Sequence, residues 1–247
     1  MDQKSNLDRI QIVLVGTQDG ANVGSVCRAM KTMGITRLVL VGDREYDENR
    51  VRTLALHARD VWERAIRYES LSEALATSVL TVASTRRQGK FRKDSVMNPQ
   101  QLATRVQKTG EGLVSIVFGR ESDGLTDEEV AQCSAVVNIP TSDDFPSLNL
   151  SQAVQIITFT LYDTIKTWAV EAVPVDQARC EQAAANATTA MDEIGYFKQA
   201  HEKLWTYRFL RDVFVRASLS ESEIQKMEKV FEKMSKIRAH KEPKDDV

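Results

Sequence analysis

Five short apolar runs alternate with amphipathic helix patterns over the first two thirds of the chain, and this alternation most constrains the fold. Ile10 to Val15, Arg37 to Val41, Val79 to Ala83, Leu113 to Phe118 and Val136 to Ile139 read as strands. Between them, Val23 to Met33, Glu48 to His57, Leu71 to Ala76, Pro99 to Val106 and Thr126 to Cys133 read as helices, and Leu150 to Trp168 as a longer one. Strands joined through helices pair in parallel, which predicts an α/β fold: an open parallel sheet with helices on both faces. The punctuation agrees. Gly34 stands at the C′ position after the first helix, Pro99 in a tolerated first turn, and Thr126 with Glu129 forms a capping box.

After Val175 the strand signal stops. Gln177 to Thr188, Asp192 to Val215 and Ser220 to His240 read as helices. Ile224, Met227, Val230, Phe231, Met234 and Ile237 mark one apolar face of the last. The expected division is an α/β domain over residues 1–170, an all-helical extension over 176–240 and a disordered tail over 241–247. Lys198, Lys203, Arg208 and Arg211 make the extension a candidate phosphate track.

Composition excludes several classes. A formal net charge of −2 on 247 residues provides no bulk basic field, though local patches remain open. Cys27, Cys133 and Cys180 are odd in number and far apart, which points to reduced thiols in a cytoplasmic protein and against a disulfide framework or zinc site. His57, His201 and His240 have no ligand spacing, so no metal is expected. Met1-Asp2-Gln3-Lys4 lacks an apolar signal core, and no apolar run is long enough to span a bilayer; no membrane partner is expected.

Three segments carry chemistry, each just past a strand's C-terminal end, where open parallel sheets bind ligands. The first is Asn22-Val23-Gly24-Ser25-Val26-Cys27-Arg28, with Asn22 as a natural N-cap and Arg28 off the apolar stripe. Gly16 to Gly20 is no dinucleotide fingerprint. In the second, Phe118-Gly119-Arg120-Glu121-Ser122-Asp123-Gly124-Leu125, two glycines flank an Arg-Glu pair. One can take a positive φ. The third runs from Ile139-Pro140 to Ser147-Leu148-Asn149-Leu150-Ser151-Gln152. Proline ends the strand, and Asn149 with Gln152 forms a capping box that gathers exposed N–H groups at a helix start.

Taken in order, Asn22-x-Gly24-x-x-x-Arg28, Phe118-Gly119-x-Glu121-x-x-Gly124-Leu125 and Ile139-Pro140 with Ser147-Leu148-Asn149-Leu150-Ser151 resemble the SpoU–TrmH class of RNA 2′-O-ribose methyltransferases, within the SPOUT superfamily. The resemblance covers about residues 10 to 168. Ala29-Met30-Lys31-Thr32-Met33-Gly34, Ser147-Leu148-Asn149-Leu150 and the helical extension are similar to its TrmJ branch, which methylates the tRNA anticodon loop. Arg59 stands where that branch has a small residue. The resemblance implies a trefoil-knotted sheet domain, a homodimer with sites beside the subunit interface, and S-adenosyl-L-methionine as cofactor. It implies cofactor contacts from Ser84, Thr85, Arg86, Gly119, Gly124, Ile139, Ser147, Leu148 and Asn149. The catalytic set would be Arg28, Asn22, Ser147, Asn149 and Glu121. The implied reaction is methyl transfer to a ribose 2′-hydroxyl of tRNA at nucleotide 32.

Arg86-Arg87-Gln88-Gly89-Lys90-Phe91-Arg92-Lys93 follows the third strand. Cations interleaved with one aromatic suit phosphate contact and base stacking, which makes Arg87, Lys90, Phe91, Arg92 and Lys93 candidate RNA contacts. Two alternatives remain: an rRNA methyltransferase of the same fold, and a catalytically silent RNA-binding scaffold. The first is disfavoured because only nine residues precede the first strand, the second because Asn22, Arg28, Glu121, Ser147 and Asn149 are all present.

Overall fold

The computed structural model describes residues 7–86, 96–165 and 173–239. Its strands are β1 (Ile10–Val15), β2 (Arg37–Val41), β3 (Ile66–Tyr68), β4 (Ser78–Ser84), β5 (Val96–Met97), β6 (Leu113–Phe118) and β7 (Ala135–Val137). They form one sheet of order β3-β2-β1-β6-β4-β7-β5, parallel at every pairing. The helices around it are α1 (Gly20–Thr32), α2 (Glu48–Ala55), α3 (Arg59–Glu63), α4 (Leu71–Leu75), α5 (Pro99–Lys108), α6 (Asp127–Gln132) and α7 (Leu150–Thr164).

The period of two along each strand divides the core into two layers. Ile10, Ile12 and Leu14 of β1 point into the larger layer with Leu38, Leu40, Val114, Ile116 and Phe118; α1, α2, α3, α5 and α7 cover it. Val13 and Val15 point the other way, with Val39, Val41, Val117 and Val136, under α4 and α6. Each fully buried Ile or Leu contributes about 1.5–3 kcal/mol. The sheet therefore needs helices on both sides, as the unbroken apolar runs require.

Sequence reading missed the two edge strands and α3. β3 has three residues, mostly exposed, and β5 only two. Such short edges make one ladder each and carry no periodicity. The helix expected from Glu48 to His57 ends at Ala55, and Leu56 takes φ +50 into a 3-10 turn, Leu56–Ala58. Arg59 then opens α3 exposed to solvent, so the departure at this position meets no steric barrier. Gly34 has φ +71 and its N–H donates to Lys31 O, as a C′ glycine should.

The extension comprises α8 (Gln177–Glu193), α9 (Ala200–Ala217) and α10 (Glu221–Ala239). The break between the first two falls later than expected: α8 runs on to Glu193, Gly195 takes φ +68, and α9 starts at Ala200 rather than Asp192. The apolar face read on α10 is too wide. Ile224 is buried and Phe231 packs beside it, but Met227, Val230 and Met234 are exposed. Arg179 of α8 lies between Glu221 and Glu228 of α10, which raise its pKa above the ordinary value. Of the candidate phosphate track, Lys203 pairs with Asp192 and Arg211 donates to Ala131 O and to Asp212. Those two cations are already engaged within the fold.

The extension docks on the α/β part through polar contacts. Thr81 Oγ1 donates to Gln177 Oε1 at 2.6 Å, Gln177 Nε2 to Gln132 O at 3.1 Å, and Ala178 N to Ala76 O at 3.0 Å. Residues 241–247 lie outside the described residues.

At Gly24 the backbones of α1 and α2 approach closely. A Cβ built there would lie 2.3 Å from Val51 O and 2.9 Å from Leu54 Cβ. Gly24→Ala gains up to about 1 kcal/mol of helix propensity, but the backbone clash forces the helices apart at about 1–3 kcal/mol. The variant is expected to unfold at lower urea concentration than the parent; an equal or higher midpoint would refute this account of the contact.

Candidate active site

The order β1-β6-β4-β7 sets four strand C-termini side by side, and the three chemistry-bearing segments leave from three of them. One cleft at this edge is lined by Ser84, Thr85 and Arg86 after β4, by Phe118 to Gly124 after β6, and by Asn138, Ile139, Thr141, Pro146, Ser147, Leu148, Leu150 and Ala153 after β7. The structure thus brings together Ser84, Thr85, Arg86, Gly119, Glu121, Gly124, Ile139, Ser147 and Leu148. Backbone bonds hold the floor: Thr85 N donates to Val137 O, and Asn138 N to Met97 O.

Sequence reading missed Asn138, Thr141 and Pro146 as lining residues. The Thr141 hydroxyl donates to Pro146 O at 3.3 Å and closes the loop between them. The prolines that bracket this loop, Pro140 and Pro146, were its available signal.

The loop after β6 folds back on itself. Arg120 N donates to Gly124 O and Gly124 N to Arg120 O, with Gly124 at φ +69. The positive φ expected at this glycine is present. A Cβ on Gly119 would lie 2.1 Å from Gly124 C, so the tight return of the chain already forbids a side chain there. Arg120 and Glu121 do not form the surface pair their adjacency suggested. Arg120 makes a two-pronged bond to Glu129 at 3.0 Å on each arm, and the Glu129 carboxylate holds its pKa above the ordinary value. Such fork-to-carboxylate pairs fix geometry as well as charge.

Glu121 is left to join the segments. Its carboxylate accepts from Gln18 N at 2.8 Å, Asp19 N at 3.3 Å and Asn22 Nδ2 at 2.9 Å. Asn22 Oδ1 in turn accepts from Asn149 Nδ2 at 3.0 Å. One chain of bonds thus runs from the second segment through the first to the third. Asn22 is not the N-cap of α1, as the sequence suggested. The helix begins three residues earlier, where Asp19 Oδ1 accepts from Ala21 N. That frees the Asn22 side chain for Glu121. Asn149 is the N-cap of α7, in the expected capping box with Gln152. Asn22 and Asn149 stand beside the cleft without lining it.

Arg28 is the residue the structure does not bring in. It is exposed on α1, does not line the cleft, and its guanidinium has no bonded partner among the described residues. Arg87, Lys90, Phe91, Arg92 and Lys93 lie outside the described residues. No group of three or more His, Cys, Asp or Glu able to hold a metal occurs among the described residues.

The α/β part matches a known family. The profile of the SpoU rRNA Methylase family matches residues 9–159. The chain belongs to this family. Among relatives of this SpoU methylase, the tRNA (cytidine-2′-O-)-methyltransferase TrmJ of Methanocaldococcus jannaschii is 36% identical over 155 residues, covering 62% of this chain and 67% of that one. The tRNA (cytidine/uridine-2′-O-)-methyltransferase TrmJ of Yersinia enterocolitica is 32% identical over 221 residues, 85% of either chain. Three other curated relatives are spanned over only 60% to 64% of their length. The crystal structure of TrmJ from Z. mobilis ZM4 matches with a TM-score of 0.73 at 30% identity, covering 91% of this chain and 98% of that one. The expected family and its TrmJ branch are both borne out.

Glu121→Gln tests the junction. An amide keeps one acceptor oxygen and presents donors at the other position, so either Gln18 N or Asp19 N loses its acceptor, at a cost of about 1–3 kcal/mol. Hydrogen exchange at Gln18 or Asp19 is expected to accelerate while the β4 amides stay protected; unchanged protection at both would remove Glu121 from this role.

Proposed function

We propose that the chain transfers a methyl group from S-adenosyl-L-methionine to a ribose 2′-hydroxyl of tRNA, at nucleotide 32 of the anticodon loop. The observation that carries this reading is the cleft between the second and third segments, to which the first is tied through Glu121, Asn22 and Asn149. The cleft suits an adenosine-bearing ligand: backbone at Gly119, Ile139 and Leu148 offers hydrogen bonds beside apolar side chains such as Phe118 and Leu150, and Ser84, Thr85 and Arg86 also line it. Bound there, S-adenosyl-L-methionine supplies a methyl group already activated by its sulfonium. The chain's own task is alignment of the hydroxyl and care of its proton. Ser147 and Asn149 position the ribose. Arg28 holds an RNA phosphate and stabilises the developing oxyanion; as a base it is poor, because guanidinium stays protonated.

Arg28 does not line the cleft of its own chain, and this favours a site completed across a homodimer. Helix α1, which carries Arg28, packs on α7, and α7 leaves Phe159 (53%) and Tyr162 (43%) exposed. A second copy on that face would cover the aromatics and bring its Arg28 to the neighbouring cleft. The reading also takes residues 1–170 as the catalytic domain, with the loop after β7 threaded as a trefoil knot, 176–240 as the extension and 241–247 as a tail. It places the protein in the cytoplasm; no helix among the described residues is long and apolar enough to cross a membrane.

The family's own description names rRNA, whereas the relatives above are named for tRNA. Mapping ribose methylation on tRNA and rRNA incubated with the purified protein and the methyl donor separates the two. Methylation at tRNA nucleotide 32 is expected. Methylation of rRNA alone would replace the tRNA reading, and no methylation of either would leave a silent RNA-binding scaffold.

Arg28→Ala is expected to lower turnover about 100-fold or more while calorimetric titration gives an unchanged affinity for S-adenosyl-L-methionine. Near-normal turnover would remove Arg28 from the machinery.

Light scattering across a dilution series should give twice the 27.8 kDa chain mass. Phe159→Glu should shift that mass toward the monomer and reduce turnover with it; a fully active monomer would contradict the shared site.

A further inference from the structure

A second cleft lies at the far edge of the sheet, where β5 and α5 meet the end of α9. Asn98, Gln101, Arg105, Lys108, Arg216 and Ser218 are among the residues that line it. Its lining holds three cations and neither Asp nor Glu. Arg105 is half-buried, and its Nε and Nη2 atoms are buried without a hydrogen-bond partner. Burial pulls the Arg105 pKa below its ordinary value, and the charge of Arg216 pulls it further. Leaving a buried donor unsatisfied costs about 1–3 kcal/mol, and more for a charged group.

Two ordinary explanations fall short. Arg105, Lys108 and Arg216 sit in the last turns of α5 and α9, where a cation is favoured by about 0.3–1 kcal/mol. A helix end offers carbonyl acceptors, yet Arg105 Nε and Nη2 reach none. The nearby amides do not serve either: Asn98 Oδ1 accepts from Gln101 N and Gln101 Oε1 from Asn98 N, as the capping box of α5. The cleft thus has three clustered cations and no counter-charge of its own, and Arg105 in its wall keeps two buried donors without a partner.

We propose that this cleft is a phosphate-binding site separate from the methyl-transfer cleft, and that it seats a backbone phosphate of the bound RNA. The RNA source rests on the tRNA methyltransferase reading; the phosphate chemistry does not. Position supports the RNA source. Asn138 lines the first cleft, Met97 the second, and Asn138 N donates to Met97 O at 2.8 Å across neighbouring strands. Strand neighbours are about 5 Å apart, so an RNA strand leaving the first cleft over the sheet edge arrives at Arg105 and Arg216.

The test uses the full chain and three variants: Arg216→Gln and Lys108→Gln, both at exposed positions, and Arg105→Met. Affinity for tRNA is measured against salt, affinity for S-adenosyl-L-methionine by calorimetry, and thermal unfolding with and without inorganic phosphate. Each glutamine variant is expected to lower the slope of log affinity against log salt by about one unit and leave the methyl donor's affinity unchanged. Phosphate is expected to raise the melting temperature of the parent by mass action and to have little effect on any variant. Without phosphate, Arg105→Met should melt no lower than the parent, because an uncompensated buried cation has been removed. If Arg105→Met does not fold, the two glutamine variants decide alone. Unchanged salt slopes with no phosphate effect overturn the proposal. A phosphate effect through Arg105 with unchanged salt slopes overturns the RNA source and assigns the site to a free phosphate. If the parent binds no tRNA, yet phosphate still acts through these residues, the tRNA reading falls and the anion site stands.

Discussion

The Glu121 carboxylate receives two backbone N–H groups from the loop after β1 and one side-chain amide from α1, and it reaches them from the loop after β6. Charge-assisted bonds of this kind are about twice as strong as neutral ones. Glu121 also stands at the N-terminal end of α1, beside the Asp19 N-cap, where the helix dipole favours an anion. Through this contact Asn22 is tied to Glu121, and through Asn22 so is Asn149, which joins the three segments at the sheet edge.

The sheet supplies the platform for that junction. Because β1, β6, β4 and β7 are consecutive neighbours, loops far apart in sequence emerge side by side. Arg120, held by Glu129, keeps the second loop folded; its guanidinium also lies 2.9 Å from where a Cβ on Gly16 would be, so Gly16 admits it against the first loop. The cleft is thus held by polar contacts at its rim and apolar packing beneath.

The central strands and most helices were legible in the sequence because burial on both faces writes itself as unbroken apolar runs. β3, β5 and α3 were not, since two or three edge residues, or a five-residue helix after a turn at Leu56, leave no periodic trace. The glycines were legible where a positive φ demanded them, at Gly34 and Gly124. The partners of individual side chains were not. Adjacency suggested Arg120 with Glu121, but the pairs formed are Arg120 with Glu129 and Glu121 with the first segment, over |i−j| of 99 to 103. Capping preference suggested Asn22 as the start of α1, but a competing Asp19 takes that place and releases Asn22 for longer-range use. The face of α10 was over-read because helical spacing specifies a stripe and not how wide a neighbour will cover it.

The seam between the helical extension and the sheet has a further consequence. Its contacts include Thr81 with Gln177, Gln177 with Gln132 O, Ala178 with Ala76 O and Arg211 with Ala131 O, all groups that water can satisfy equally well. The extension holds its own small core around Cys180, Phe214 and Ile224. Where the seam is polar, parting it exchanges these bonds for bonds to water. This polar part of the seam therefore resists parting less than apolar packing of the same extent would, since each of its bonds has a substitute in water.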